Sequence, residues 1–200
     1  KAYGIIMSGL YLPIIVMLLA LVFRGVAFEF RWVAKPHHQH WDRAFAWGSI
    51  VATFAQGVVL GGLLKGIIVD KGQFAGGALD WLSPFPIFCG LALLAGYALL
   101  GATWLVMKTE GELQLWARGK AEGALLLTLA AVAVVSLWTA VGIPRIADRW
   151  FSWPNILLLA PVPLLTLYAA LKCWWGLVER RDAQPFFSAI AMFLLGLVAL

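Results

Sequence analysis

The sequence predicts an all-α fold, a polytopic bundle of transmembrane helices, and three observations support this prediction. First, 62% of the 200 residues are hydrophobic and only 12% are charged, a composition too apolar for an ordinary soluble domain. Second, the apolar residues form continuous runs and not the alternating pattern of strands. Third, a backbone in lipid must satisfy its own hydrogen bonds, which favours helices. We therefore expect no strands, and a single domain over residues 1–200 without a soluble appendage.

Six charge-free runs, separated by short charged connections, define six predicted membrane segments, and the last is cut off by the end of the sequence. Each of the first five is long enough to cross the hydrocarbon core of about 30 Å, which takes about 20 helical residues. We predict helices over residues 3–23, 44–69, 84–107, 121–143, 154–173 and 185–200. Because the chain starts at Lys1 and ends within an apolar run, we expect it to be a fragment of a longer subunit.

Proline and glycine indicate the geometry of the first two helices. Pro13 lies near the middle of the first helix and predicts a kink, because proline removes one intrahelical hydrogen bond. The second helix contains two pairs of glycines spaced four residues apart, Gly57 with Gly61 and Gly62 with Gly66. Such pairs of small residues let transmembrane helices approach closely.

Prolines also mark the remaining helices. Pro84 suits the first turn of the third helix and Pro185 that of the sixth, because the N–H that proline lacks has no intrahelical partner there. Pro161 and Pro163 lie in the centre of the fifth helix. That helix must therefore be bent or locally unwound, with a neighbouring helix covering the freed carbonyl groups.

The net charge of +5 is distributed as membrane topology requires, which argues against a surface for nucleic acid. The odd-numbered connections hold Arg24, Arg31, Lys35, Arg43, Lys108, Arg118, Lys120, Lys172, Arg180 and Arg181, and the even-numbered ones hold Lys71, Arg145 and Arg149. Cytoplasmic loops of membrane proteins carry such an excess of Lys and Arg. We predict that the first, third and fifth connections are cytoplasmic and that the chain starts outside.

The three histidines, His37, His38 and His40, lie in the first connection and not in a predicted helix. Histidine and carboxylate side chains bind zinc, but the spacing matches no zinc motif, so we interpret this segment as a polar interfacial loop and predict no metal site. A haem-binding membrane subunit usually places axial His or Met side chains inside the bilayer. We interpret the methionines as core residues, and therefore expect this chain to bind no haem.

Polar residues within the predicted helices leave two interpretations open. Gln56 lies near the centre of the second helix. It either belongs to a hydrogen-bonded wire or contacts a quinone, or it makes an interhelical hydrogen bond that stabilises packing. We favour the interhelical hydrogen bond. Glu122 begins the fourth helix and either collects protons or complements the helix dipole. Lys108 complements the negative end of the third helix, and Lys65 extends outward along the second.

Two stretches of the sequence indicate a particular protein family, which the composition does not. They are Leu21–Arg31 (LVFRGVAFEFR), at the end of the first helix, and Gly101–Gly111 (GATWLVMKTEG), at the end of the third, with the glycine-rich Gly57–Gly66 between them. On these motifs the chain resembles subunit II of the cytochrome bd-type quinol oxidases, including their cyanide-insensitive relatives, over essentially its whole length. The resemblance implies a membrane complex that oxidises quinol and reduces dioxygen to water in the bacterial inner membrane.

The resemblance also implies how the work is divided in that complex. The three haems belong to the partner, subunit I, while subunit II supports it, contributes to proton access from the cytoplasm, and allows for a bound structural quinone. In the family, two further helices precede this segment and carry the acidic residue associated with the proton path. Because those helices are missing here, no catalytic residue is assigned in this chain.

Candidates for structural or proton-access roles come from both motifs and from the polar residues above: Arg24, Glu29, Arg31, Gln56, Thr103, Lys108, Glu110 and Glu122. Our hypothesis is that acids and bases of the two motifs form an ion-pair cluster that ties the first and third helices together. The alternative is solvated loop charges worth about 0–1 kcal/mol each. Two other function classes stay open, a secondary transporter and a structural membrane scaffold. A transporter would normally show an inverted repeat, and we find none in the sequence.

Overall fold

The structure, a computed structural model, describes residues 2–34 and 38–198 of the chain. Within these ranges nearly all ordered backbone is helical, which confirms the all-α prediction. The helices are α1 (Ala2–Val33), α2 (Gln39–Lys65), α3 (Pro84–Lys108), α4 (Gly111–Gly142), α5 (Pro144–Phe151), α6 (Asn155–Leu159), α7 (Pro161–Val178) and α8 (Gln184–Val198).

Five helical segments of the described chain are long and apolar enough to cross a membrane, which confirms a multi-pass membrane protein. They are Tyr3–Val33, Gln39–Lys65, Pro84–Lys108, Gly111–Gly142 and Asn155–Val178. The prediction of six spans is not matched, because α8 has only 15 described residues, fewer than the roughly 20 that cross a bilayer.

At three predicted helix ends the observed helix extends further than predicted, because hydropathy marks only the part of a helix that lies in lipid. The helix predicted over 3–23 continues to Val33, the one predicted from 44 begins at Gln39, and the one predicted from 121 begins at Gly111. Charged side chains do not interrupt backbone hydrogen bonding, so these helices extend beyond the apolar runs. Pro13 lies within α1, and the helix continues past it.

The second connection corrects the expectation that strands are lacking. The helix predicted to reach 69 ends at Lys65, because Gly66 has a φ of 95°, which is outside the helical range. The N–H of Gly66 makes the last helical hydrogen bond, to the carbonyl of Gly62 at 3.2 Å. A short antiparallel hairpin follows, formed by β1 (Val69–Asp70) and β2 (Gln73–Phe74). Two consecutive positive φ angles, at Lys71 and Gly72, are typical of the tight turn that joins such strands.

The later helices agree better with their predictions. The interruption predicted at Pro161 and Pro163 is confirmed, since α6 ends at Leu159 and α7 begins at Pro161. The segment predicted to end at 173 continues to Val178. The helices predicted over 84–107 and 185–200 correspond to α3 and α8 within one residue at their starts, and residues 199 and 200 lie outside the described ranges.

The chain forms two compact units, Lys1–Leu94 and Ala95–Leu200, and the single domain over 1–200 stays a prediction. In the first unit α1 and α2 pack extensively against each other. The close approach predicted for Gly57 and Gly61 is confirmed. A Cβ atom added at Gly57 would lie 2.6 Å from the Cα of Gly90, and one added at Gly61 would lie 2.6 Å from the Cα of Pro86.

The core of the second unit is built mainly from small and aliphatic side chains of four helices, α3, α4, α7 and α8. It contains Leu99, Val106, Ala117, Ala121, Leu125, Ala169, Ala170, Cys173, Leu177, Ala189 and Met192. Alanines at the contacts bring the helix backbones close to one another, as is usual between transmembrane helices. Cys173 here and Cys89 in the first unit are buried and free.

Candidate functional site

A buried arginine joins three chain segments of the second unit. The side chain of Arg118 on α4 is only 7% exposed, and its Nη2 lies 2.5 Å from Oδ1 of Asp182, whose side chain is 60% exposed. Nη1 of Arg118 also donates a hydrogen bond of 3.3 Å to the backbone carbonyl of Leu177. A buried guanidinium group needs such partners, because taking its charge out of water is costly.

Gln114 extends this arrangement to α3. Its Nε2 donates to the carbonyl of Val106 at 2.9 Å and to Oδ1 of Asp182 at 3.1 Å. We call Gln114, Arg118 and Asp182 the Arg118 cluster. Val106 and Leu177 lie in the last turns of α3 and α7, whose final carbonyl groups have no partner within the helix. The cluster therefore satisfies helix ends and ties three helices together on the side predicted to be cytoplasmic.

The turn between α7 and α8 positions Asp182. The N–H of Arg181 donates to the carbonyl of Gly176 at 2.9 Å and that of Arg180 to Leu177 at 3.4 Å, with Arg180 in the left-handed region at a φ of 58°. This is the hydrogen-bonding pattern that commonly closes a helix, although glycine is the usual residue there. On the outside of the turn, Nε of Arg181 lies 2.8 Å from Oε2 of Glu179.

The candidates of the second motif lie around the end of α3 and the start of α4. Thr103 is fully buried, and its hydroxyl donates to the carbonyl of Leu99 at 2.8 Å, within its own helix. The Lys108 ammonium lies 5.2 Å from the ring centroid of Trp104. Glu110 is exposed and stands at the N-cap of α4 without a side-chain capping bond, and Glu122 is half-buried on α4.

The candidates of the first motif contact α2. The guanidinium of Arg24 lies 5.1 Å from the ring centroid of Phe45. Arg31 forms an ion pair with Asp42, while the side chain of Glu29 is exposed. Ring stacking between Phe30 and Trp41 accompanies this ion pair. These contacts tie the first helix to the second, and the ion-pair cluster between the first and third helices stays a prediction.

Gln56, the remaining candidate, and Lys65 both belong to α2. Gln56 is on an exposed face of α2, and Lys65 donates from Nζ to Oγ of Ser83 at 3.0 Å. Among the described residues no three His, Cys, Asp or Glu side chains are grouped as metal ligands would be. His38 and His40 belong to those residues, whereas His37 of the same loop lies outside them.

A cavity of about 120 Å³ lies within the first unit, beside Lys65. Gly9, Leu10, Gly62, Lys65, Gly66, Ile67, Ile68, Phe74, Asp80 and Trp81 line it. The lining is mostly apolar, with one ammonium and one carboxylate group, which is the character of small-molecule sites in general.

The chain is similar to known membrane proteins along its sequence. Residues 1–200 match the family described as cytochrome bd terminal oxidase subunit II. The chain belongs to this family. It is 32% identical over 150 residues to cytochrome bd-I ubiquinol oxidase subunit 2 of Escherichia coli strain K12. The aligned residues make up 70% of this chain and 39% of that protein.

Two further relatives of this chain have similar sequence identity and coverage. The cytochrome bd ubiquinol oxidase subunit 2 of Bacillus subtilis strain 168 is 31% identical over 144 residues, or 68% of this chain and 42% of the relative. The probable cytochrome oxidase subunit 2 of Haemophilus influenzae is 30% identical over 145 residues, or 68% and 38%. The chain thus spans about two fifths of the length of the curated relatives that it matches. The resemblance seen in the two motifs is confirmed.

Sequence reasoning missed the Arg118 cluster of this subunit II chain, because Arg118 was counted only among the loop charges. A signal was nevertheless present. Ala117, Ala121 and Leu125 recur at the spacing of one helix face, and all three are buried. Arg118 is adjacent to that face, so a helix extended toward Gly111 would have carried the arginine into the packed side of α4.

Proposed function

We propose that this chain is part of the non-haem subunit of a bacterial quinol oxidase and that it supports the haem-bearing subunit I in a hetero-oligomeric complex of the inner membrane. In that complex quinol is oxidised and dioxygen is reduced to water, with proton uptake from the cytoplasm. The observation that carries the proposal is the match of residues 1–200 to the subunit II family.

The geometry of the second unit supports a bracing role. Arg118 and Gln114 direct their donors to helix-end carbonyls and to Asp182, so these polar groups are engaged in holding helices together. A subunit that positions a redox-active neighbour needs such rigid connections, because loosely held helices would not maintain the geometry of the partner's cofactors. We assign all the haems to subunit I and none to this chain.

Proton uptake is proposed to begin at the acids on the side predicted to be cytoplasmic. Glu110 and Asp182 are exposed there, and half-buried Glu122 lies one helical turn beyond Arg118 on α4. Exposed carboxylates at the mouth of a proton route raise the local proton supply through their negative potential.

We propose that the cavity beside Lys65 holds the ring of a structural quinone. The residues present fit a quinone, since Leu10, Ile67 and Phe74 offer apolar contacts and the Lys65 ammonium offers a donor to a ring carbonyl. The volume of about 120 Å³ is similar to the roughly 150 Å³ of an apolar cavity that accepts benzene. Lys65 donates to Oγ of Ser83 at 3.0 Å and to the carbonyl of Asp80 at 3.5 Å. An ammonium group has three donors, which leaves one for a ring carbonyl.

The test is purification of the tagged, full-length subunit from its native membrane in mild detergent. We expect a haem-containing partner to co-purify, and the preparation to consume oxygen when quinol is added. Haem spectra of the separated subunits then assign the haems, and organic extraction measures bound quinone. A porphyrin retained by the isolated tagged subunit would contradict the proposed division of labour.

Other outcomes identify the alternatives. Uptake of a solute into liposomes by the subunit alone, without a haem-containing partner, would indicate a transporter. A stable membrane complex without haem and without quinol-dependent oxygen consumption would indicate a scaffold. Either result would overturn the proposed function.

A further inference from the structure

One face of α7 combines exposed apolar and aromatic side chains with a single cation. Leu164, Tyr168, Leu171 and Trp175 follow one another at intervals of three and four residues, so they lie along one face of the helix, and each is at least 42% exposed. Lys172 is also exposed and borders this stripe. We call these five residues the α7 face.

Lys172 marks the boundary of the apolar part of this membrane segment. Residues 155–171, which comprise α6 and the first part of α7, carry no charged side chain, and this length is close to the roughly 20 residues that cross the hydrocarbon core. Lys172 is the first charge after this stretch, and Trp174 and Trp175 follow it. Tryptophan is enriched where hydrocarbon meets the head groups. The charge distribution assigns this boundary to the cytoplasmic leaflet.

Two cations belong to this boundary region, Lys172 on α7 and Arg181 in the turn before α8. The Lys172 ammonium lies 5.0 Å from the ring centroid of Tyr168, and the ion pairs of the described residues do not include it. Gln184 links the backbone of Lys172 to the turn before α8. Nε2 of Gln184 donates to the carbonyl of Lys172 at 3.0 Å, and Oε1 of Gln184 accepts a hydrogen bond from Arg181 at 3.0 Å. The Arg181 side chain is 62% exposed and also contacts Glu179.

We propose that the α7 face binds one anionic phospholipid of the cytoplasmic leaflet. The phosphate group lies at Lys172 and Arg181, and an acyl chain lies along Leu171, Tyr168 and Leu164. Charge complementarity selects an anionic head group, because basic groups between or beside helices on the cytoplasmic side attract such lipids. The aromatic rings of Tyr168 and Trp175 suit the level where apolar chain and polar head group meet.

The pattern of the α7 face favours a lipid over a neighbouring protein helix. Contacts between transmembrane helices are enriched in small residues, and on α7 these are Ala169, Ala170 and Gly176, which are buried within the unit. The α7 face instead offers large aliphatic and aromatic side chains with one cation near its polar end. The inference concerns membrane contact and holds whether or not the complex oxidises quinol.

The experiment is native mass spectrometry of the purified complex, partly delipidated in detergent and titrated with dioleoylphosphatidylglycerol or with dioleoylphosphatidylcholine. Lys172→Gln should weaken the tightest phosphatidylglycerol binding about fivefold, the effect of one cation near the surface, and leave phosphatidylcholine binding unchanged. Lys172→Arg should retain it. The matched control is Lys71→Gln, which removes the same charge from the hairpin turn on the opposite predicted side and should have no effect.

Four results would overturn the proposal. The first is wild-type phosphatidylglycerol binding by the Lys172→Gln complex, and the second is an equal loss in Lys71→Gln, which would indicate net charge alone. The third is reduced recovery of the partner subunit in Lys172→Gln with unchanged lipid affinity, which would make the face a subunit contact. Excess inorganic phosphate should not displace the lipid, because it lacks the acyl contacts, and displacement would indicate a site for free phosphate.

Discussion

Replacing Asp182 by asparagine measures how far the buried charge of Arg118 depends on its carboxylate partner. Removing one member of a fully buried ion pair costs about 3–5 kcal/mol, because the other charge is left uncompensated. The Asp182 side chain is 60% exposed, so water replaces part of the lost interaction, and Arg118 keeps its bond to Leu177. We therefore expect Asp182→Asn to lower the free energy of unfolding by about 2 kcal/mol, within the range for a hydrogen bond to a charged group.

The same turn provides a matched control. Glu179 pairs with Arg181 at 2.8 Å, and both side chains are more than half exposed. Ion pairs of this kind contribute about 0–1 kcal/mol, so Glu179→Gln should change the free energy of unfolding by less than about 1 kcal/mol. The two variants remove one negative charge within four residues of each other, and they differ in the burial of the arginine that loses its partner.

The assay is equilibrium unfolding of the purified complex in mixed micelles, titrated with sodium dodecyl sulfate and followed by circular dichroism. A double-mutant cycle adds Arg118→Met, because the energy that couples two contacting residues appears as non-additivity. On the Arg118→Met background, Asp182→Asn should cost little. Equal effects of Asp182→Asn and Glu179→Gln, or full additivity in the cycle, would refute the role assigned to the buried guanidinium.

Two further variants test the first unit. Gly57→Ala should lower the free energy of unfolding by about 1–3 kcal/mol, the cost of overpacking, because the new Cβ would meet the backbone of Gly90. Gly25→Ala is the control, since this α1 position has open space around it, and it should be neutral or slightly stabilising. The same unfolding titration checks both variants. Lys65→Met should reduce the quinone extracted per complex and release Ser83; unchanged quinone content with intact assembly would remove the cavity from the proposal.

The pattern of the chain was sufficient to predict where helices lie in the membrane and where two of them meet. A charge-free run of about 20 residues has few alternatives in lipid, because unsatisfied backbone groups there are costly. The spacing of Gly57 and Gly61 is likewise a local property, and the close approach to Gly90 and Pro86 follows it. Helix ends were predicted less well, since charged residues such as those between Arg24 and Arg31 continue a helix beyond the lipid.

The candidate site was predicted only in part. Lys108, Thr103 and Arg31 were selected from the motifs, and the structure gives each a defined contact, with Trp104, Leu99 and Asp42 respectively. The contacts of Arg118 were not foreseen. Its partners Leu177 and Asp182 are about sixty residues away in sequence, and hydropathy carries no information about such a pairing.

The amino-acid sequence alone therefore determined the membrane class, the helical segments, the topology expected from its charges and the family. Those properties follow from local composition and from motifs, because lipid imposes the same requirement on each segment separately. Only the tertiary structure decided that Arg118 is buried, that the turn after α7 delivers Asp182 to it, and that Lys65 borders a cavity. The burial of a charge depends on which helices surround it, and packing between segments distant in sequence decides that.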